Sequence, residues 1–344
     1  MKRLLNTLFL TRPEAQVYKD GECLLVKAEG QVLLRTPIHL LGGVVCLGRV
    51  FVSPQALHHC AQHDVAVSYL SENGRFWGRL QGPISGNVLL RKEQYRASDD
   101  LGRAGLIARA AVAAKAANCR TVLRRAARSG QPGETAGELQ RAAEALGSVL
   151  ERLDAEKDLD RVRGLEGEAA AAYFSVFDHL ITQQKADFFF RARSRRPPLD
   201  KVNALLSFTY TLLVHDVSAA CQAVGLDPQA GFLHRDRPGR PSLALDLMEE
   251  LRPLLADRLV LSLINLRRIK ANGFKSTGSG AVNMSDDCRK SLIVAYQERK
   301  KDEVHHPFLN EKMPLGLVPF IQALLLARHL RGDLDAYPAY FHRT

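Results

Sequence analysis

The chain has 344 residues, 46% of them hydrophobic, enough for about two folded domains. Forty-eight Lys and Arg against 37 Asp and Glu leave a formal charge of +11, which favours a polyanionic partner. The six cysteines, at 23, 46, 60, 119, 221 and 288, form no Cys-x-x-Cys pair, which argues against a zinc ribbon or a secreted disulfide framework and for a reducing cytoplasm.

No membrane span is expected: the apolar run at 315–327 is broken by Gly316, Pro319 and Gln322 and is too short. No export signal is read at the start, where Asn6 and Thr7 interrupt the apolar run and Arg12 stands in place of a small-residue cleavage site. The first 96 residues hold 12 basic and 7 acidic groups, the rest 36 and 30, so both parts could meet phosphate.

Residues 4–51 read as short strands separated by Lys19-Asp20-Gly21, Glu29-Gly30 and Gly42-Gly43. Ser53-Pro54 opens a short helix to Gln62, with proline in its first turn. A further strand at 65–70 turns through Glu72-Asn73-Gly74 into a hairpin partner. These make a small β-rich domain over 1–95. From residue 96 the pattern is helical, so the expected class is α+β, a β-rich N-terminal domain followed by a larger all-α domain over 96–344.

Residues 102–128 predict an alanine-rich helix carrying Arg103, Arg109, Lys115, Arg120, Arg124, Arg125 and Arg128, read as a solvated basic face. In the helix that follows Gly164, Glu166 shares a face with Ala170, Tyr173, Phe174 and Phe177, whereas Glu168 points about 160° away. A carboxylate in line with an apolar stripe requires a partner, either a cation such as Arg163 or a metal ion.

Phe188, Phe189 and Phe190 precede Arg191, Arg193, Arg195 and Arg196, and Pro197-Pro198 then make this basic run a loop. A helix from Lys201 to Ala223 follows. His234 ends an apolar stretch, a loop with Arg235, Arg237 and Arg240 succeeds it, and Ser242 is read as the N-cap of a helix with Leu243, Leu247 and Leu251 on one stripe. Asp246 and Glu249 sit on its opposite side, either as a solvated acidic face or as ligands beside His234 for manganese or magnesium. Gly273 to Gly280 is read as a hairpin tip, because it lacks the Gly-Lys-Ser/Thr ending of a nucleotide loop. Ser285 is read as the cap of a helix to Lys301, and 314–331 as the last helix, with His305 and His306 in a loop between them.

Taken together, Glu166-Gly167 before an alanine and tyrosine helix, Arg195 to Tyr210, Gly231-Phe232-Leu233-His234 and Ser242 to Pro253 resemble the Cas1 family, the CRISPR-associated endonuclease and spacer integrase, in order and spacing over nearly the whole chain. The pattern is similar to the branch found in type I-C systems. The resemblance implies a metal-dependent DNA endonuclease and strand-transfer integrase that inserts captured fragments into a CRISPR array by 3′-hydroxyl attack at a repeat border. It implies Mg2+ or Mn2+ held by Glu166, His234 and Glu249, with Asp246 as a supporting catalytic acid.

The implied partners are double-stranded DNA (captured fragment and repeat), a second copy of the chain in a homodimer involving the β domain, and the Cas2 protein. Arg191, Arg193, Arg195, Arg196, Arg237 and Arg240 are the expected phosphate contacts. Two rival readings are a non-catalytic basic DNA-binding scaffold and a hydrolase of small phosphate esters. The first leaves Glu166, His234 and the Asp246/Glu249 pair unexplained, and dispersed basic charge argues against the second.

Overall fold

A computed structural model describes residues 6–71, 76–80, 88–129, 133–278 and 280–342. The chain divides into two compact units, 1–86 and 87–344. Each has its own buried core.

In the first unit, β1 (Asn6–Leu10), β2 (Gln16–Asp20), β3 (Cys23–Ala28), β4 (Gln31–Pro37), β5 (Leu41–Leu47), β6 (Phe51–Val52), α1 (Pro54–Gln62), β7 (Ala66–Leu70) and β8 (Phe76–Leu80) build two four-stranded sheets. One has the order β4-β3-β2-β6; the other, β1-β5-β7-β8, is parallel except for its antiparallel β7–β8 edge pair. The residues of the expected tight turn between β7 and β8, 72–75, lie outside the described residues.

Along β3, burial alternates as the side-chain period of two requires, with Leu24, Val26 and Ala28 inward. Apolar Val44, Val45, Cys46 and Leu47 in β5 are buried in succession, the pattern of a strand covered on both faces. Ser53 caps α1 by accepting from the Ala56 amide at 3.2 Å, and Ala56 and Cys60 of that helix join Val17, Leu24 and Val67 in the core.

The second unit contains α2 (Val88–Asp99), α3 (Leu101–Ala127), α4 (Gly133–Ala155), α5 (Leu159–Ser175), α6 (Lys201–Ala223), α7 (Ser242–Glu249), α8 (Arg258–Asn265), α9 (Asp286–Lys300) and α10 (Val318–Leu330). It adds two short antiparallel hairpins to the expected all-α domain, β9 (Phe274–Ser276) with β10 (Val282–Met284), and β11 (Glu303–His306) with β12 (Glu311–Pro314). His305 and His306 therefore lie in a strand rather than in a loop, and His306 is fully buried on Gln322.

The unit begins at residue 87 rather than 96 because α2 is bound to it. Gln94 is fully buried; its side-chain amide donates to Asp227 O (2.7 Å) and Ala230 O (2.8 Å), and its carbonyl accepts from the Asp227 amide. A polar group so enclosed must keep its partners, so the helix stays with the 227–231 loop.

The scaffold of the second unit is a bundle in which α3 packs on α4, α5 and α7, while α6 packs on α7 and α10. α6 is long and apolar enough to cross a bilayer, but most of that stretch is buried as a core helix. Because α7 is enclosed on all sides, Leu243, Leu247 and Leu251 are buried, and so are Asp246 and Glu249 opposite them. The acidic side of α7 is therefore not solvated. Burying carboxylates demands compensating partners, and those partners form the site.

Candidate active site

Glu249 is 1% exposed at the end of α7. Its Oε1 pairs with the Arg252 guanidinium at 2.6 Å, and its Oε2 lies 2.7 Å from Lys115 Nζ without an aligned hydrogen bond. Arg252 reaches back because residues three apart are neighbours on a helical surface, and from Arg252 to Asp257 the chain continues as a π-helical turn. Burial pushes the Glu249 carboxyl up, but Arg252 and Lys115 foremost outweigh it and hold the group down at about 2. Glu249 is an anion across the physiological range.

Lys115 comes from the middle of α3 and is only 6% exposed, so the solvated reading of that helix fails at this position. Its ammonium bridges Glu249 and Glu166, and although burial disfavours its charge, the two carboxylates raise its pKa above the ordinary value. Glu166, on α5, does need a cation as expected. The cation is Lys115 rather than Arg163, whose Nε donates to Leu233 O at 2.6 Å and whose other end pairs with Asp160. Glu168 pairs with Arg152 on the exposed side.

His234 is presented by Asp246. Asp246 Oδ2 accepts from the amides of Phe232 (2.6 Å) and Leu233 (2.9 Å), and Oδ1 from the His234 amide (3.0 Å) and its Nδ1 (2.6 Å). A carboxylate so surrounded by donors can only accept, which places the proton on Nδ1 and the lone pair on Nε2. Nε2 then faces Glu249 Oε1 at 3.9 Å. Gly231 allows the loop this close: a Cβ there would stand 2.7 Å from Ser242 Cβ and 2.9 Å from Asp246 Oδ2. Ser242 does not cap α7 as expected; its hydroxyl reaches Arg235 O instead.

The structure thus brings Glu166 and Glu249 onto one cation, Lys115, and sets His234 beside Glu249 with Asp246 behind the imidazole. The donors suit a divalent ion, with one oriented imidazole nitrogen and two carboxylates that already hold a cation between them. They are not yet collected. Among the described residues, the His and acid group whose ligand atoms all lie within 4.8 Å of one another is Glu22, His59 and His63 in the first unit. In the second unit the Lys115 ammonium supplies the positive charge between the carboxylates.

Beneath the cluster, Tyr210 lies between the guanidiniums of Arg193 (5.3 Å) and Arg252 (5.1 Å) and donates to Asp257 at 2.6 Å. Arg193 is therefore internally engaged, bonded also to Asn203 Oδ1, Ser207 Oγ and Ser194 O. Arg191 stacks on exposed Phe189. The Arg240 pKa is lowered first by burial and then by the like charge of Arg237, with Arg195 and Arg196 adding to this against the pull of Asp246. Arginines from two loops distant in sequence thus share one positive field. None of these four has a carboxylate ion-pair partner among the described residues, an arrangement that suits an external anion.

A family model described as CRISPR associated protein Cas1 matches residues 8–298. The CRISPR-associated endonuclease Cas1 1 of Chlorobaculum tepidum is 52% identical over 344 residues, covering all of both chains. The solved Cas1 protein of Thermotoga maritima superposes with a TM-score of 0.82 over 96% of this chain and 99% of its own, at 21% identity. A chain of a Cas6-RT-Cas1–Cas2 complex superposes with a TM-score of 0.83 over all of this chain and 37% of its own, at 22% identity. The chain belongs to the Cas1 family of CRISPR-associated endonucleases.

Proposed function

We propose that this Cas1 endonuclease joins captured double-stranded DNA to a CRISPR repeat at the cluster of Glu166, His234 and Glu249, with Mg2+ or Mn2+ as the bound ion. The observation that supports the reading is that Glu166 of α5 and Glu249 of α7 share one buried cation while the His234 ring, from a loop, faces Glu249 at 3.9 Å. A basic scaffold has no use for a carboxylate 1% exposed and held ionised. A divalent ion there would supply Lewis acidity toward the attacking hydroxyl and the target phosphate.

The chain's own residues do the rest. Glu249 and Glu166 provide the anionic oxygens and His234 the oriented nitrogen, held in place by Asp246. Arg195, Arg196, Arg237 and Arg240 bind the flanking phosphates and fix the strand for in-line attack. Arg252 keeps Glu249 charged and aligned. A 3′-hydroxyl oxygen forms one phosphodiester as another breaks, and the proton lost by the nucleophile is matched by one gained by the leaving oxygen. Water in the nucleophile's place gives hydrolytic nicking.

A homodimer and a complex with a Cas2 protein belong to the same proposal, as does action in the cytoplasm. The Cas1–Cas2 assembly named for the similar solved structure and six cysteines spaced without any Cys-x-x-Cys pair support them.

The test is strand transfer from a labelled duplex with free 3′ ends into a plasmid bearing a repeat array, with Mn2+ or Mg2+, with and without the Cas2 protein. Metal-dependent joining at repeat borders, lost in Glu249→Ala, is expected. Binding without joining by folded protein on a matched array would overturn the reading.

A further inference from the structure

The first unit holds a second cluster of ligand atoms, unrelated to the chemistry above. His59 and His63 stand four residues apart at the end of α1, so both project from one side of the helix. Glu22 occupies the two-residue turn between β2 and β3, where Asp20 pairs with Cys23. Its Oε2 lies 4.0 Å from His59 Nε2 and 3.8 Å from His63 Nε2. From this geometry we infer a transition-metal site of the zinc type, formed by His59, His63 and Glu22 and tying the β2–β3 turn to α1.

Three observations carry it. His59 is 2% exposed and its Nε2, on the side of Glu22 Oε2 at 4.0 Å, has no hydrogen-bond partner among the described residues. An imidazole nitrogen enclosed in this way is costly unless something accepts its lone pair or its proton. His63 Nδ1 lies 2.9 Å from His59 O, and a carbonyl can only accept, so the proton sits on Nδ1 and Nε2 carries the lone pair. The backbone is also set in advance: Glu22 O accepts from the Ile38 amide at 2.9 Å, and Ser53 caps the start of α1.

The donors fit zinc better than magnesium. Two imidazole nitrogens and one carboxylate suit a borderline ion with tetrahedral preference, whereas magnesium favours oxygen and retains its waters. Tetrahedral zinc with bonds near 2.0 Å needs donors about 3.3 Å apart. The three atoms already lie within 4.8 Å of one another. The Glu22 side chain is 75% exposed and free to swing inward, and water can complete the fourth position.

The test is zinc binding to the full-length, tag-free, metal-stripped protein under excess Mg2+, which occupies oxygen-rich sites. Wild type and Glu249→Ala are expected to bind about one zinc per chain, with cobalt(II) giving a tetrahedral visible spectrum free of thiolate charge-transfer bands. His63→Ala and Glu22→Gln, at exposed positions that leave the core intact, should weaken zinc binding at least about 10-fold with unchanged circular dichroism. Zinc should raise the melting temperature of wild type and not that of His63→Ala. Absence of zinc binding, equal binding by both variants, or loss only in Glu249→Ala would each overturn the site.

Discussion

Replacing Asp246 by asparagine probes whether His234 is positioned by its neighbour. Asp246 accepts four hydrogen bonds, two on each oxygen. The amide has one acceptor oxygen, so in either orientation two contacts become donor against donor. Hydrogen bonds to a charged group contribute about 1.5–3 kcal/mol each, so losing two costs about 3–6 kcal/mol. The loop can relieve this by lifting off α7 locally, which limits the global loss and leaves His234 mobile. The functional effect is then on metal affinity, about 10–100-fold, as for other groups that orient a ligand. Mn2+ titrations of strand transfer read by urea-checked, folded protein should show a midpoint moved to higher metal, with joining recovered at saturation. Unchanged stability and an unchanged midpoint would refute the positioning role. Joining that stays absent at saturating metal would instead make Asp246 a ligand.

Lys115→Met keeps the aliphatic packing and removes the ammonium between Glu166 and Glu249. The variant should be less stable without metal and show a larger Mn2+-induced thermal shift than wild type, since repulsion of the incoming ion is gone; equal shifts would refute competition. Asp257 tests pH dependence. Burial lifts its carboxyl from 3.8 to about 6 against the Tyr210 hydrogen bond and Arg252. Between these values the folded chain keeps a proton that the unfolded chain has released, so this group's contribution falls as pH rises through that window and is level above it. The difference corresponds to about 3 kcal/mol. The stability of Asp257→Asn relative to wild type, by urea midpoint, should therefore grow from about pH 4 to 6; a constant difference would refute it. Combined alanine substitution of Arg195, Arg196, Arg237 and Arg240 should flatten the salt dependence of DNA binding by about 0.9 per lost phosphate contact. An unchanged slope would remove the patch from the interface. Arg193→Ala should instead lower the melting temperature, because its guanidinium is bonded within the fold.

The class of fold and most helix limits were legible because they are local. The Ser53 and Ser285 caps, the alternating strands and the apolar stripe of α6 are written in adjacent residues. Glu166 could be singled out because periodicity compares positions on one helix, and its apolar face made an unpaired carboxylate implausible. The sequence by itself therefore determined the two-part architecture and the need of Glu166 for a positive partner, while family resemblance pointed to His234 and Glu249 as its companions.

Which cation answers Glu166 was a different question. Arg163 is close in sequence and Lys115 is 51 residues away, yet α3 packs on α5 and α7 and delivers the lysine, while Arg163 turns to Leu233. Likewise Ser242 lost its cap role, Arg193 was drawn inward by Asn203 and Tyr210, and Glu22 met His59 across a turn and a helix. Only the tertiary structure decided these, because helical and strand periods fix the direction of a side chain on its own element. What it meets there depends on the element packed opposite, and desolvation in that contact decides which charges are paired.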